Sequence, residues 1–283
     1  MILRLLVIGI FLSNFFIVQA QQGAELGAFA GVAHYFGDLN TDFQITDPKV
    51  AFGIIGRYNF NERVAFKIAG AVSQVAADDI NSNNTFERRR NLNFQSSILD
   101  ASAQIEFNFL PYVHGSKDDF FTPYLFAGLG ITQFNPQTTY CVSDPNLPVG
   151  QCPGATELVD LRPLGTEGQF QGEEYFTTTG SLAFGAGLKV DINYEWSINI
   201  ELSGRKLFTD YLDDVSTVYP AINDLENFRG DLSVALSDRS LPIPEKIGEP
   251  GRQRGNPQNN DSYAFLTVGI VYFFGDLRCP EGN

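Results

Sequence analysis

The chain has 283 residues, with 19 Lys and Arg against 33 Asp and Glu for a formal charge of −14, a balance that repels polyanions and excludes nucleic acid as a partner. Only 18% of the residues are charged, whereas Gly (27) and Phe (25) are abundant. Aromatic side chains suit a pleated surface and Gly suits turns, so the composition is that of an all-β protein forming one large unit.

Residues 1–20 read as a cleaved signal peptide. Arg4 supplies the positive charge, 5–18 is apolar except for Ser13 and Asn14, and Val18-Gln19-Ala20 precedes a cut before Gln21. The apolar stretch is shorter than the roughly 20 residues of a membrane helix. No Cys follows the cut to take a lipid.

Period-2 alternation then recurs eight times, at about 25–36, 50–60, 63–75, 94–109, 121–134, 176–190, 196–208 and 262–274, close to the roughly 9 to 11 residues of a membrane strand. In the seventh segment Trp196, Ile198, Ile200, Leu202 and Phe208 share one face, and Ser197, Asn199, Glu201, Ser203 and Arg205 the other. The uncharged stretch 120–143 is long enough for a membrane helix, but Pro123, Gly128, Gly130 and Pro136 argue for a strand.

Long and short connections alternate. Turns are expected at 61–62, 111–120 and 191–195, and long loops at 37–49, 76–93, 135–175 and 209–261. That pattern, with both termini on the side of the short turns, predicts an eight-stranded antiparallel transmembrane β-barrel over 21–274, with short periplasmic turns, long surface loops and a periplasmic tail at 275–283. A soluble barrel would share the alternation, but Tyr58, Phe60, Phe107, Phe109, Phe121, Trp196, Tyr272 and Phe274 fall at the turn ends of their strands and Phe36, Phe52, Phe176 and Phe208 toward the loop ends. Trp196 and Phe208 would stand roughly 28 Å apart along a tilted strand, the height of an apolar band between two aromatic girdles.

The inner face then carries Arg57, Lys67, Lys189 and Arg205 with Glu25, Asp100, Glu106 and Glu201. Eight strands leave room only for side chains, so these charges are expected to pair as a structural network. A proton or ion path has no other support. Cys141 and Cys152 bracket a short Pro- and Gly-containing stretch and predict a local disulfide, leaving Cys279 as a free thiol.

Nothing in the sequence points to catalysis. The chain lacks G-x-S-x-G, H-E-x-x-H, a phosphate loop and Cys-x-x-Cys; His34 lies on the lipid parity at a strand end and His114 in a periplasmic turn. The expectation is no enzyme, no cofactor and no metal. Asp210, Tyr211, Leu212, Asp213 and Asp214 lack the spacing of an EF-hand and read as a solvated, hydrogen-bonded loop. Arg88-Arg89-Arg90 either meets lipopolysaccharide phosphates or is solvated.

Several stretches resemble the PorG-type outer-membrane barrels of the type IX secretion system of Bacteroidota: GAFAGVAHYFGD (27–38), RNLNF (90–94), EFNF (106–109), FTPYLFAGLG (121–130), LRPLGTEGQ (161–169) and KLFTDYLDDVS (206–216). The two loops are the specific part, through Arg162, Pro163, Gly165, Thr166, Glu167 and Gly168 in one and Asp210, Tyr211, Asp213 and Asp214 in the other. The insert 141–152 and the stretch 240–260 depart from the pattern. The resemblance implies a non-enzymatic barrel that helps to hold a periplasmic ring, built by a lipoprotein and its partner protein, at the outer membrane. Outer-membrane lipid and lipopolysaccharide are the remaining expected partners. Tyr112, His114, Lys117 and Asp118 in the turn 111–120, together with the tail 275–283, are the candidate periplasmic contact. The alternative is a stand-alone surface barrel acting as adhesin or membrane tether through its long loops.

Overall fold

Stretches that alternate branched or aromatic residues with small or polar ones form the wall of a cylinder. In the computed structural model, which describes residues 23–42, 44–241 and 245–275, the wall strands are β1 (Gly23–Phe36), β2 (Lys49–Asn59), β3 (Val64–Asp78), β4 (Asn93–Asn108), β5 (Phe121–Cys141), β7 (Thr178–Asp191), β8 (Trp196–Leu207) and β9 (Ser262–Phe274). Each is antiparallel to its neighbours in the order β4-β3-β2-β1-β9-β8-β7-β5, and pairing of β4 with β5 closes the ring. The expected signal peptide, Cys279 and all of the expected tail but Gly275 lie outside the described residues.

Closure leaves no strand edge in the wall, so the backbone of the spanning region satisfies itself, as hydrocarbon surroundings require. Side chains divide by parity as the sequence predicts. Leu26, Ile54, Ile68, Leu99, Leu129, Leu182, Leu202 and Val268 are exposed on the outside, and Glu25, Arg57, Lys67, Glu106, Lys189 and Arg205 are buried inside. Gly185 and Gly187 let inward rings approach the wall, since a Cβ there would lie 2.6 Å from the Phe126 and Tyr124 rings respectively. Among the described residues no helix is long and apolar enough to cross a membrane. The result is a transmembrane β-barrel.

At one end the connections are tight. Asn61 accepts from the backbone N–H groups of Arg63 and Val64, and Asn193 from those of Glu195 and Trp196, so an Asn side chain shapes each short turn.

The other end departs from the open loops expected of it. β5 continues to Cys141 and pairs with an additional strand, β6 (Thr156–Asp160). Three short helices, α1 (Thr85–Arg90), α2 (Ile222–Arg229) and α3 (Asp231–Ser237), pack with them into a cap. Helices of six to eight residues are too short to show an apolar stripe in sequence and depend on tertiary contacts for their stability. Leu39, Leu92, Leu161, Leu212 and Val215 from the loops join Tyr35, Phe94, Phe134, Leu207 and Phe265 from the strands in one buried cluster that fills the mouth. The disulfide between Cys141 and Cys152 forms as expected. The loop it closes is docked on the cap by Arg239, whose Nε donates to the Pro145 carbonyl at 3.0 Å, and by Asn91, whose amide donates to the Asn146 carbonyl at 2.8 Å.

Leu202 is 58% exposed and its neighbour Ser203 only 3%. Leu202→Arg should therefore impair membrane assembly, by about 2 to 4 kcal/mol for an Arg at the midplane, while Ser203→Arg escapes the lipid penalty. Heat-modifiable mobility of the two variants extracted from membranes checks the assignment of the faces.

Candidate functional site

Three polar assemblies fill the cylinder from end to end. In the lumen, strand register places Arg57 directly opposite both Glu25 and Lys67. The like-charge neighbours are held by shared anions. Glu106 receives Arg57 at 2.7 Å, Lys189 at 2.7 Å and Lys67 at 3.1 Å, and Glu25 takes the other side of Arg57 at 2.5 Å. Lys67 also pairs with Glu201, which accepts from the Tyr124 hydroxyl at 2.7 Å. Further toward the loops Arg205 pairs with Asp100 at 3.1 Å, and Asp100 accepts from Tyr263 at 2.9 Å. Arg57, Lys67, Lys189 and Arg205 thus balance Glu25, Asp100, Glu106 and Glu201. The cavity among them, lined by Phe29, Ile55, Asp100, Asn199 and Arg205, measures about 30 Å³, room for one or two waters rather than a continuous aqueous path.

The second assembly corrects the expected periplasmic contact. Tyr112 and His114 do not face the periplasm; both side chains are buried, while the rest of the turn 111–120 is exposed or half-buried. The His114 ring sits between Glu25 and Asp191, each 3.1 Å away, and stacks on Phe273 with centroids 4.2 Å apart. Tyr112 donates to Asp191. The cause is the unfilled acceptor capacity of Glu25 and Asp191 at the barrel's end, which these two side chains meet. Lys117 and Asp118 remain exposed. Burial disfavours the imidazolium, but hydrogen bonds and charge from Asp191 and Glu25 outweigh it and hold the His114 pKa above its ordinary value. Burial, with Glu25 and Asp191 nearby, likewise raises that of Tyr112.

The third assembly joins the two loops quoted for the family resemblance. Thr166 donates to Asp214 at 2.5 Å, and Tyr175 donates to the other oxygen at 2.6 Å. Glu167 accepts from the backbone of Ser216 at 2.9 Å, from the Thr217 hydroxyl at 2.7 Å and from Arg254 at 3.1 Å. Tyr211 stacks on Tyr175 at 4.6 Å. Arg162 donates to the Tyr175 carbonyl, and the Pro163 carbonyl accepts from Arg229. Gly165 (φ +54°) and Gly168 (φ +85°) occupy the left-handed region that favours glycine.

Two further expectations fail here. The stretch 210–214 is not solvated: Asp210, Asp213 and Asp214 are all buried, because Leu212 and Val215 enter the cap core and carry their neighbours with them. Burial raises Asp214 to about 6 against the opposing Arg254, and Asp210 to about 9 with Asp261 and Asp38 adding to it. Nor is Arg90 solvated or facing lipopolysaccharide. It binds Asp79 through Nε at 2.8 Å and Nη2 at 2.7 Å, while Arg88 stays exposed. His34 is likewise covered by the first loop, its ring reaching Asn40 and the Gln44 carbonyl. Tyr35, Asp38, Tyr175, Arg254 and Asp261 escape the sequence reading because their partners are distant in the chain. Asp38 and Asp261 do carry one signal, a carboxylate placed at a strand end.

A closed antiparallel cylinder with an apolar exterior and a filled polar interior defines the class, an eight-stranded transmembrane β-barrel capped at its loop end. The chain belongs to the family described as a domain of unknown function (DUF6089), whose model matches residues 3–146. No curated protein matches it. Among solved structures it is similar to Ail, the attachment invasion locus protein of Yersinia pestis (11% identity, 90% of this chain and 99% of that one, TM-score 0.40), to Neisserial surface protein A (10%, 90% and 100%, 0.42) and to the outer membrane protein OprG of Pseudomonas aeruginosa (12%, 92% and 100%, 0.41).

Glu106→Ala would leave Arg57, Lys67 and Lys189 without their shared anion, at a cost of about 3 to 5 kcal/mol. Asp118→Ala, on the exposed turn, should change stability by less than about 0.5 kcal/mol. Urea unfolding in detergent micelles compares them. Because the folded His114 pKa lies above the ordinary 6.5, its contribution is complete below pH 6.5 and is lost as pH rises through the folded value. An NMR titration of the imidazole should give a midpoint above 6.5, and His114→Gln should remove that part of the pH dependence of unfolding.

Proposed function

We propose that this barrel serves in the outer membrane as a non-enzymatic component of the type IX protein secretion machinery, holding there a periplasmic ring built by a lipoprotein and its partner protein. The observation that carries the reading is that the two loops resembling PorG-type barrels are parts of one docked unit, Thr166 on Asp214 and Glu167 on Ser216 and Thr217. A generic barrel gives no reason for either loop sequence. Their joint resemblance is therefore that of a shared structural unit and not of two isolated matches.

With the lumen filled and the loop end capped, a periplasmic partner meets only the turn end. Its exposed polar groups there include Arg63, Lys117, Asp118 and Glu195. Lipid covers the apolar belt, and lipopolysaccharide phosphates meet the barrel at the exposed Arg88.

Deleting the protein should leave type IX cargo unsecreted. The double variant Lys117→Glu, Asp118→Lys should keep the barrel in the membrane while recovery of ring proteins in a pull-down falls several-fold. Normal secretion in the deletion strain, with no paralogue compensating, would refute the scaffold reading and favour a surface barrel working through its loops.

A further inference from the structure

One band of the outer wall is hollow. Where strands pair, Ala264 of β9 stands directly opposite Gly204 of β8, and Gly204 opposite Phe184 of β7, whose ring leans over it. Phe184 in turn faces Ala127 of β5, and the next outward position of β7 is Ala186. Larger side chains such as Leu125 and Leu202 stand on either side of these small ones. The result is an open, largely apolar groove of about 1130 Å³, running from Phe107 near the turn end of β4 to Phe36 and Ile45 at the loop end. It is larger than small-molecule pockets of roughly 300 to 1,000 Å³. Because the strands tilt, a band crossing five of them runs obliquely through the apolar belt.

Lys206 lines the loop end of this groove. Among the described wall strands it is the one Lys or Arg on the outward parity, since Arg57, Lys67, Lys189 and Arg205 are buried inside and Lys49 shares the parity of Arg57. Register puts Lys206 opposite Ser262, and Ser262 opposite Phe36, at the level of the outer aromatic girdle, where headgroups begin. Its ammonium donates to the Asn259 side-chain oxygen at 3.2 Å and to the Asn260 carbonyl. It forms no ion pair; Asp261 acts on it only at longer range. We propose that the groove holds one lipid A molecule of the outer leaflet, a phosphate on Lys206 and acyl chains over Ala264, Gly204 and Ala186. Left empty, the hollow would deprive its lining of contact partners, and flexible chains supply them. The cation selects the lipid by its position. A periplasmic-leaflet phospholipid would enter at the turn end, where the groove stops at Phe107 with no outward cation. The proposal rests on the outer-membrane reading above and gives lipopolysaccharide a contact in the wall besides Arg88.

Native mass spectrometry tests this on the barrel refolded in detergent without lipopolysaccharide and titrated with lipid A, dephosphorylated lipid A or phosphatidylglycerol. One lipid A should stay bound through detergent removal, ahead of phosphatidylglycerol. Lys206→Ala should weaken it about tenfold, the size of one hydrogen bond to a charged group. Dephosphorylated lipid A should bind wild type as weakly as lipid A binds Lys206→Ala, with no further loss when the two changes are combined. Ala264→Phe fills the groove and should prevent retention while the barrel keeps its heat-modifiable mobility. Ile54→Phe on β2, outside the groove, should change nothing. Equal retention of lipid A by wild type, Lys206→Ala and a folded Ala264→Phe overturns the proposal, because the lipid is then ordinary boundary lipid. A preference for phosphatidylglycerol, or a dimer in place of a lipid adduct, overturns it too. If Ala264→Phe does not fold, Lys206→Ala and the dephosphorylated lipid decide. Fractionation of cells tests the outer-membrane reading separately: a barrel found in the outer membrane but without lipid A selectivity refutes the groove alone.

Discussion

An eight-strand cylinder has room inside for side chains and little else. Every charge on an inward-facing position of this barrel is thereby taken out of water, and each must find an opposite charge within reach of its own strand's neighbours. Glu106 answers that demand for three cations at once. Glu25, Glu201 and Asp100 complete the balance, and the Tyr124 and Tyr263 hydroxyls take up acceptor capacity that the cations leave. Filling the lumen this way leaves a cavity of only about 30 Å³ among the charges.

The ends solve the same problem differently. At the turn end the remaining acceptor capacity of Glu25 and Asp191 takes up His114 and Tyr112, so two side chains of an otherwise exposed connection are anchored inside the barrel. At the loop end an apolar cluster does most of the closing, with polar groups arranged around it. Arg90 and Arg254 illustrate the economy of the cap: besides their ion pairs, Arg90 donates to the Arg254 carbonyl and to that of Asp38, and Arg254 to that of Asp214. The loops 161–169 and 206–216 are built into this core, through Thr166 on Asp214, Glu167 on Ser216 and the burial of Leu161, Leu212 and Val215.

The proposed scaffold role suits a body of this kind. A partner can pull on a closed cylinder anchored by an apolar belt without opening a leak. The exposed part of the turn at Lys117 and Asp118 is mounted on a buried foundation, which gives a small surface a fixed position. The cap, in turn, isolates the lumen from the outside and presents a folded surface where bare loops were expected.

Much of this was legible in the chain. Alternation in stretches such as 94–109 and 196–208 determined which side chain faces lipid and which faces the lumen, because successive residues on a strand must point to opposite faces. The Cys141–Cys152 pair was equally readable from its short spacing. What the sequence could not say is which charges meet, since Tyr35 and Asp213 stand 178 residues apart and Arg90 reaches a carbonyl 164 residues away. Nor could it foresee that Tyr112 and His114 turn inward, or that 210–214 sinks into the cap, because a polar loop segment reads as solvated until a neighbour such as Leu212 is given a core to enter. Local alternation fixes a face; only the closed ring brings strands and loops from distant parts of the chain to one point, and there the tertiary structure decided the partners.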